Sequence, residues 1–129
     1  MKLNLAGGIW NTLNLDTIEP IKHLYNLKIL GLTNIKIKNE SLEPISHLKG
    51  LLELELSNQF PTEEFAMLSV KLPKTKCDYF QAYVKLDEPI DNKDVMVIGK
   101  RKPFLNSSID IKKLQKYEEQ FAALQKKYK

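Results

Sequence analysis

The stretch Ile18-Glu19-Pro20-Ile21-Lys22-His23-Leu24 recurs 24 positions later as Leu42-Glu43-Pro44-Ile45-Ser46-His47-Leu48. The agreement continues downstream, where leucines at positions 27, 30 and 32 are matched by leucines at positions 51, 54 and 56. A sequence period of this size is typical of proteins in which small structural units stack on one another. The repeat therefore decides the predicted fold more strongly than the propensity of any single segment.

Each copy carries its leucines in the spacing L-x-x-L-x-L, with Asn34 or Asn58 two positions further on. This spacing predicts a short strand with inward-pointing leucines, followed by a bend at which the asparagine amide bonds to backbone groups. Upstream of the strand, apolar residues recur every three positions, which favours a tight 3₁₀-like or helical turn on the convex side. Pro20 and Pro44 are expected at the first helical position of these turns.

With these motifs, residues 16–60 resemble bacterial leucine-rich repeats of the internalin type. The resemblance implies an α/β fold, namely a short solenoid with a curved parallel sheet and convex 3₁₀ or helical turns. We expect residues 1–80 to hold about four repeats, of which the first and last are irregular. Residues 81–129 are expected to add a C-terminal strand and an amphipathic cap helix, as part of the same domain.

The two irregular units follow from the same spacing. Leu3 and Leu5 align with Leu30 and Leu32 if the first connecting loop is about three residues longer. In the last unit, the L-x-x-L-x-L positions fall on Leu72, Thr75 and Cys77. A helix is predicted just before them, with Thr62 as its N-cap and acidic residues in its first turn.

The C-terminal segment is predicted to cover the last coil. Residues 95–98 have the composition of a buried strand between polar turns, and aromatic residues at 79, 80 and 83 are bulky enough to close the core. Ser107 and Asp110 have the spacing of a capping box for a final helix. Its apolar side chains repeat every three or four positions: Ile111, Leu114, Tyr117, Phe121, Leu124 and Tyr128.

Length and composition fit a single globular domain. The 129 residues are 43% hydrophobic and 28% charged, and no apolar run reaches the roughly 20 residues that cross a bilayer. Cys77 is the only cysteine, which excludes an internal disulfide. We therefore expect no transmembrane segment and a cytoplasmic location.

The outward positions of the predicted strands form a candidate binding face. The resemblance implies that such a face is presented to a protein partner. Both charge signs occur on it and aromatic residues do not cluster there, so a merely solvated face remains an alternative. The face has three rows: Ile29, Glu53 and Lys74; Gly31, Glu55 and Lys76; Thr33, Ser57 and Asp78.

Other candidate sites have weaker support. His23 and His47 occupy equivalent repeat positions without a third metal ligand at suitable spacing, which favours duplication over coordination. Cys77 is expected to be a small core residue. No phosphate-binding, dinucleotide-binding or hydrolase motif occurs. The sequence therefore predicts no enzyme, no catalytic or metal-binding residue, and no cofactor.

Three functions remain open at this level. The leading prediction is a protein–protein interaction module that binds an unidentified protein through the concave sheet face. The second is a basic tail, since residues 99–129 carry 9 Lys/Arg against 3 Asp/Glu, a net charge of +6. Such a basic C-terminal helix could bind nucleic acid or an anionic surface. Nucleic acid is the less favoured of the two, because the aromatics belong to the apolar stripe rather than to a stacking platform. The third is a structural fragment that forms a homodimer through its N-terminal edge strand.

Overall fold

The computed structural model describes residues 2–6 and 13–129, which form a mixed α/β fold with parallel sheets and a C-terminal helix. One parallel sheet has the strand order β1 (Lys2–Ala6), β3 (Ile29–Thr33), β5 (Glu53–Leu56). A second parallel sheet joins β2 (Leu13–Leu15) to β4 (Ile35–Ile37). The chain thus places successive units side by side along both sheets.

The register of the three-stranded sheet confirms the predicted alignment of the units. Leu3 pairs with Leu30, and Leu30 pairs with Leu54. The side chains of Leu30 and Leu54 are buried, and Leu3 packs against the same core. Because side chains alternate between the two faces of a strand, residues on either side of each leucine must point away from the core.

Two 3₁₀ helices, Glu19–His23 and Glu43–His47, precede strands β3 and β5. The predicted 3₁₀ turns are confirmed, but the expected position of the prolines is wrong by one residue. Each helix begins at the glutamate, so Pro20 and Pro44 are its second residues. Proline is tolerated there because the first backbone N–H groups of a helix have no partner within it.

Helix α1 (Thr62–Lys71) packs its apolar face into the core. Phe65 is fully buried, and its ring meets those of Phe60 and Tyr79 edge-on at centroid distances of 6.3 and 6.1 Å. The predicted N-cap is wrong, because Pro61 holds that position. Thr62 is the first helical residue, and its hydroxyl donates to the carbonyl of Ile98 at 2.8 Å.

The C-terminal part contains three strands where the sequence predicted one. Strands β6 (Tyr83–Ile90), β7 (Lys93–Val97) and β8 (Phe104–Leu105) form an antiparallel sheet. Asp91 and Asn92 connect β6 to β7 with φ values of 51° and 67°. Two-residue turns with positive φ match the twist of the flanking strands. The prediction missed β6 because its outer half is exposed and lacks apolar alternation.

Helix α2 (Ile111–Lys127) has the predicted apolar stripe, with one exception. Leu114 and Phe121 are buried, whereas Ile111 is 53% exposed and lies outside the packed face. The predicted capping box is wrong, since Asp110 accepts a hydrogen bond from the backbone of Asn106 at 2.8 Å. The Ser107 hydroxyl instead donates to the side chain of Asp94 at 2.6 Å.

One hydrophobic core runs from the leucines of the parallel sheet to Ile98 and Phe121 in the C-terminal part. A smaller cluster lies between the antiparallel sheet and α2: Val95, Val97, Leu105 and Leu114. The hydroxyl of Ser69 on α1 accepts a hydrogen bond from Gln125 on α2. Within the described residues, every helix is too short or too polar to span a bilayer.

Candidate functional site

The outward face of the three-stranded sheet is built from the residues between the buried leucines. Ile29 pairs with Glu53 and Gly31 with Glu55 across β3 and β5. On the far side of β5, Glu53 forms a parallel bridge with Lys76. In this bridge, Leu54 N donates to the carbonyl of Lys76 at 2.9 Å. The face therefore continues one step beyond the last regular strand.

The bridge corrects the predicted register of the last unit. The sequence placed Lys74 beside Glu53, but Lys76 occupies that place. Lys74 lies in the turn that follows α1. The next residue, Thr75, is held in place because its hydroxyl donates to the carbonyl of Leu51 at 2.7 Å. Since side chains alternate with a period of two, a shift of two residues leaves Lys76 on the predicted face.

A groove of about 430 Å³ lies on this face. Six of the nine predicted residues line it: Ile29, Gly31, Glu53, Glu55, Lys76 and Asp78. Thr33, Ser57 and Lys74 are not part of its lining. The Ser57 hydroxyl, for example, donates to the Gln59 side chain at 3.4 Å.

Seven further lining residues were not among the predicted site residues: Lys2, Asn4, Leu30, Leu54, Leu56, Cys77 and Tyr79. Lys2 and Asn4 flank Leu3, so the alignment of the first unit already contained the signal that places them on this face. Tyr79 gave no such signal, because it follows the last repeat and its ring also packs on Phe65. The groove thus extends further toward both edges of the sheet than the repeat pattern indicated.

The side chain of Asn4 covers Gly31 on the outward face of the sheet. A β-carbon at this position would overlap Asn4 Oδ1 and lie 3.4 Å from Asn4 Cγ. The amide of Asn4 therefore bends across the strand into the space that a side chain on β3 would take. As a result, a hydrogen-bonding group from β1 and the Glu55 carboxylate flank the same glycine.

Two acidic residues act on the Tyr79 phenol in the groove. Burial is the largest cause that raises the pKa of the Tyr79 phenol, and the charges of Asp78 and Glu55 raise it further. Burial also raises the pKa of the Cys77 thiol to about 11, with a smaller contribution from Asp78. The thiol is therefore protonated at neutral pH, a state in which cysteine is a poor nucleophile.

Four of the nine basic residues of the C-terminal part contact other side chains within the chain. Lys100 forms an ion pair with Glu40, and Lys127 pairs with Glu63 at 2.6 Å. Other contacts are weaker: Lys113 lies 3.7 Å from Asp110, and Lys102 stands over the ring of Tyr117. These contacts reduce the charge that the tail offers to an anionic partner.

The remaining polar candidates are the two repeat histidines, His23 and His47. His47 contacts Glu43 at 2.7 Å, a contact between consecutive turns of one helix. Among the described residues, no three His, Cys, Asp or Glu side chains are grouped to hold a metal ion. The groove presents carboxylates, two lysine ammonium groups, an amide and apolar surface to a bound group. Comparisons of the chain with protein-family models, with curated proteins and with solved structures found no match.

Proposed function

We propose that this chain is a short leucine-rich-repeat solenoid that acts as a non-catalytic protein–protein interaction module. The partner lies on the outward face of the sheet formed by β1, β3 and β5. The single observation that carries this proposal is the groove of about 430 Å³ on that face. The groove runs across the strands of successive units, so every unit contributes to one binding surface.

The pattern of repetition supports this assignment. Inward positions keep leucine across the three strands of the sheet, as Leu3, Leu30 and Leu54 show. The outward row beside them changes from one unit to the next: Lys2, Ile29, Glu53 and Lys76. Packing accounts for the constant leucines, whereas the varied row is free to suit a ligand.

The chemistry of the groove favours a protein partner. Its volume falls in the range of ligand sites, and five of its lining residues are exposed and charged: Lys2, Glu53, Glu55, Lys76 and Asp78. Side chains of a second protein can meet such a surface with complementary charges. The free thiol of Cys77 suits the reducing cytoplasm, where we propose that the module acts.

Self-association through β1 is a second candidate. Among the described strands of its sheet, β1 lies at an edge and pairs with β3 on one side. An edge strand can add a further strand from another chain. Sedimentation equilibrium at high protein concentration tests this candidate, and a purely monomeric mass would exclude it.

Charge reversal on the face tests the leading proposal. Wild-type protein and the Glu53→Lys and Glu55→Lys variants are immobilised, and the proteins that each captures from a native cell lysate are identified and then purified. We expect the partner to bind both variants at least about fivefold more weakly. Glu119→Lys, an exposed reversal on α2, is the matched control. Equal binding by all variants with unchanged thermal unfolding would reject the sheet face as the site.

A further inference from the structure

The segments that enter the parallel sheet form one edge of the repeats, and this edge is basic. Parallel strands begin at the same side of a sheet, and the register places the starts of β3, β5 and the bridge at Lys76 side by side. The three entering segments, residues 24–28, 48–52 and 71–76, contain no acidic residue. Their five lysines are all exposed: Lys28, Lys49, Lys71, Lys74 and Lys76. The three segments therefore carry a local charge of +5.

Contacts between consecutive segments hold these lysines together. Lys49 Nζ donates to the carbonyl of Lys71, at the end of α1, at 2.7 Å. Lys28 Nζ lies 3.2 Å from the place that a β-carbon at Gly50 would take, and the Lys28 carbonyl accepts from Leu52 N at 2.8 Å. Among the described residues, none of the five lysines forms an ion pair with an acidic side chain. Their charge is therefore open to an anionic partner.

Two exposed apolar side chains lie among the lysines. Tyr25 is 71% exposed and Leu52 is 56% exposed, and among the described residues up to position 80 no other large apolar side chain is exposed. Both belong to the same segments as the lysines, and the Tyr25 carbonyl lies 3.8 Å from the place of a β-carbon at Gly50, as Lys28 Nζ lies close to it from the same segment. We call the five lysines together with Tyr25 and Leu52 the basic edge. It offers a partner both positive charge and an apolar contact.

This combination suits an anionic lipid surface better than nucleic acid. Lysines close to a membrane are attracted by the negative potential of its headgroups, and tyrosine prefers the interface between membrane and water. Leu52 gains from contact with hydrocarbon, which phosphates and stacked bases do not provide. Proteins that bind single-stranded nucleic acid stack successive bases on several aromatic rings, whereas the basic edge has one.

We propose that the basic edge docks on an anionic lipid surface, with Tyr25 and Leu52 at the level of the headgroups and the lysines beside them. Charge complementarity drives the approach, and the two apolar side chains add contact area once the edge is seated. The inference does not depend on the proposed function, because the basic edge shares only Lys76 with the lining of the groove.

Co-sedimentation with lipid vesicles tests the inference. At low ionic strength, wild-type protein should bind vesicles of phosphatidylcholine with phosphatidylserine, and it should not bind vesicles of phosphatidylcholine alone. Lys28→Gln/Lys74→Gln should weaken binding by roughly 25-fold, since each lysine at an anionic surface contributes about fivefold. Lys112→Gln/Lys116→Gln removes the same charge from exposed positions on α2 and is the matched control. It should weaken binding by no more than about twofold, because distant charges are screened.

Leu52→Gln separates the apolar contact from the charge, and it should weaken binding by about threefold to tenfold. The substituted side chains are exposed, so all variants should unfold thermally as wild type does. Absence of binding to the anionic vesicles would overturn the inference, as would equal losses in the two double variants or unchanged binding by Leu52→Gln. Tighter binding of a single-stranded oligonucleotide that is lost in Lys28→Gln/Lys74→Gln but not in Leu52→Gln would overturn it in favour of nucleic acid.

Discussion

The hydroxyl of Thr62 occupies the space in which a side chain at Gly99 would lie. A β-carbon at position 99 would overlap Thr62 Oγ1 and come within 3.1 Å of Thr62 Cβ. Gly99 also has a φ of 130°, in a region that L residues rarely adopt. The contact joins the first turn of α1 to the end of β7, and so fixes the antiparallel sheet to the repeats.

Gly99→Ala should therefore lower the free energy of unfolding by about 2–4 kcal/mol, since the added carbon meets both a clash and an unfavourable backbone conformation. Urea unfolding measures the loss. In a Thr62→Ala background the same substitution should cost less, because the overlapping oxygen is gone. Gly50→Ala is the control, as its new carbon would meet the flexible end of Lys28 at 3.2 Å and the Tyr25 carbonyl at an ordinary contact distance of 3.8 Å. Equal costs in both backgrounds would show that Thr62 does not impose the requirement.

A second contact between the two parts depends on Asn58. Its Nδ2 donates to the carbonyl of Val97 at 3.0 Å, and its Oδ1 accepts from Gly99 N at 2.6 Å. We expect Asn58→Ala to cost about 1–3 kcal/mol, because two partly buried backbone groups lose their partner. Asn58→Asp keeps the acceptor and loses the donor, so it should cost less. Asn26→Ala, in an exposed turn, is the control for both in urea unfolding.

The repeats could be predicted because residues close together in the sequence specify them. Leucines at fixed spacing specify an inward face, and the register of Leu30 with Leu54 follows from the repeat itself. The roles of Asn58 and Thr62 could not be predicted in this way. Their partners lie 39 and 36 residues along the chain. Consequently Asn58 was expected to bond at its own bend and Thr62 to cap its own helix.

The sequence predicted which residues of the candidate site face outward, but not how they pair across the strands. Alternation alone placed Lys76 and Asp78 on the outward face, and both residues line the groove. The pairing of Lys76 with Glu53 depends on where the chain re-enters the sheet after α1. The hydrogen bond from the Thr75 hydroxyl to the Leu51 carbonyl sets that point. The spacing of the repeat does not predict this bond.

Glu64 should make stability depend on pH. Burial raises the pKa of its carboxyl above the usual range, although the bond of 2.7 Å from Leu42 N opposes this. The folded chain then binds the proton more tightly than the unfolded chain, so stability falls as pH rises from the usual pKa to the raised one. Between acidic and neutral pH, the free energy of unfolding of Glu64→Gln should therefore rise relative to that of wild type. The rise should be no more than about 1 kcal/mol, because the group is half-exposed. Urea unfolding at acidic and at neutral pH measures the effect, with Glu119→Gln as the control. An equal difference between Glu64→Gln and wild type at both pH values would contradict this.

Asp94 should show the opposite dependence. The Ser107 hydroxyl, at 2.6 Å, and then the Ser107 N–H, at 2.8 Å, hold the pKa of this carboxyl below its usual range. The unfolded chain binds the proton more tightly here, so the stabilisation exists above the usual pKa and is lost as pH falls through the lowered one. Ser107→Ala removes the larger cause and keeps the backbone bond, so the pKa of Asp94 should rise part of the way toward its usual value. NMR titration of the carboxyl carbon measures it, and Ser108→Ala, at the exposed neighbouring position, should leave it unchanged. An unchanged Asp94 titration in Ser107→Ala would mean that the hydroxyl bond does not persist in solution.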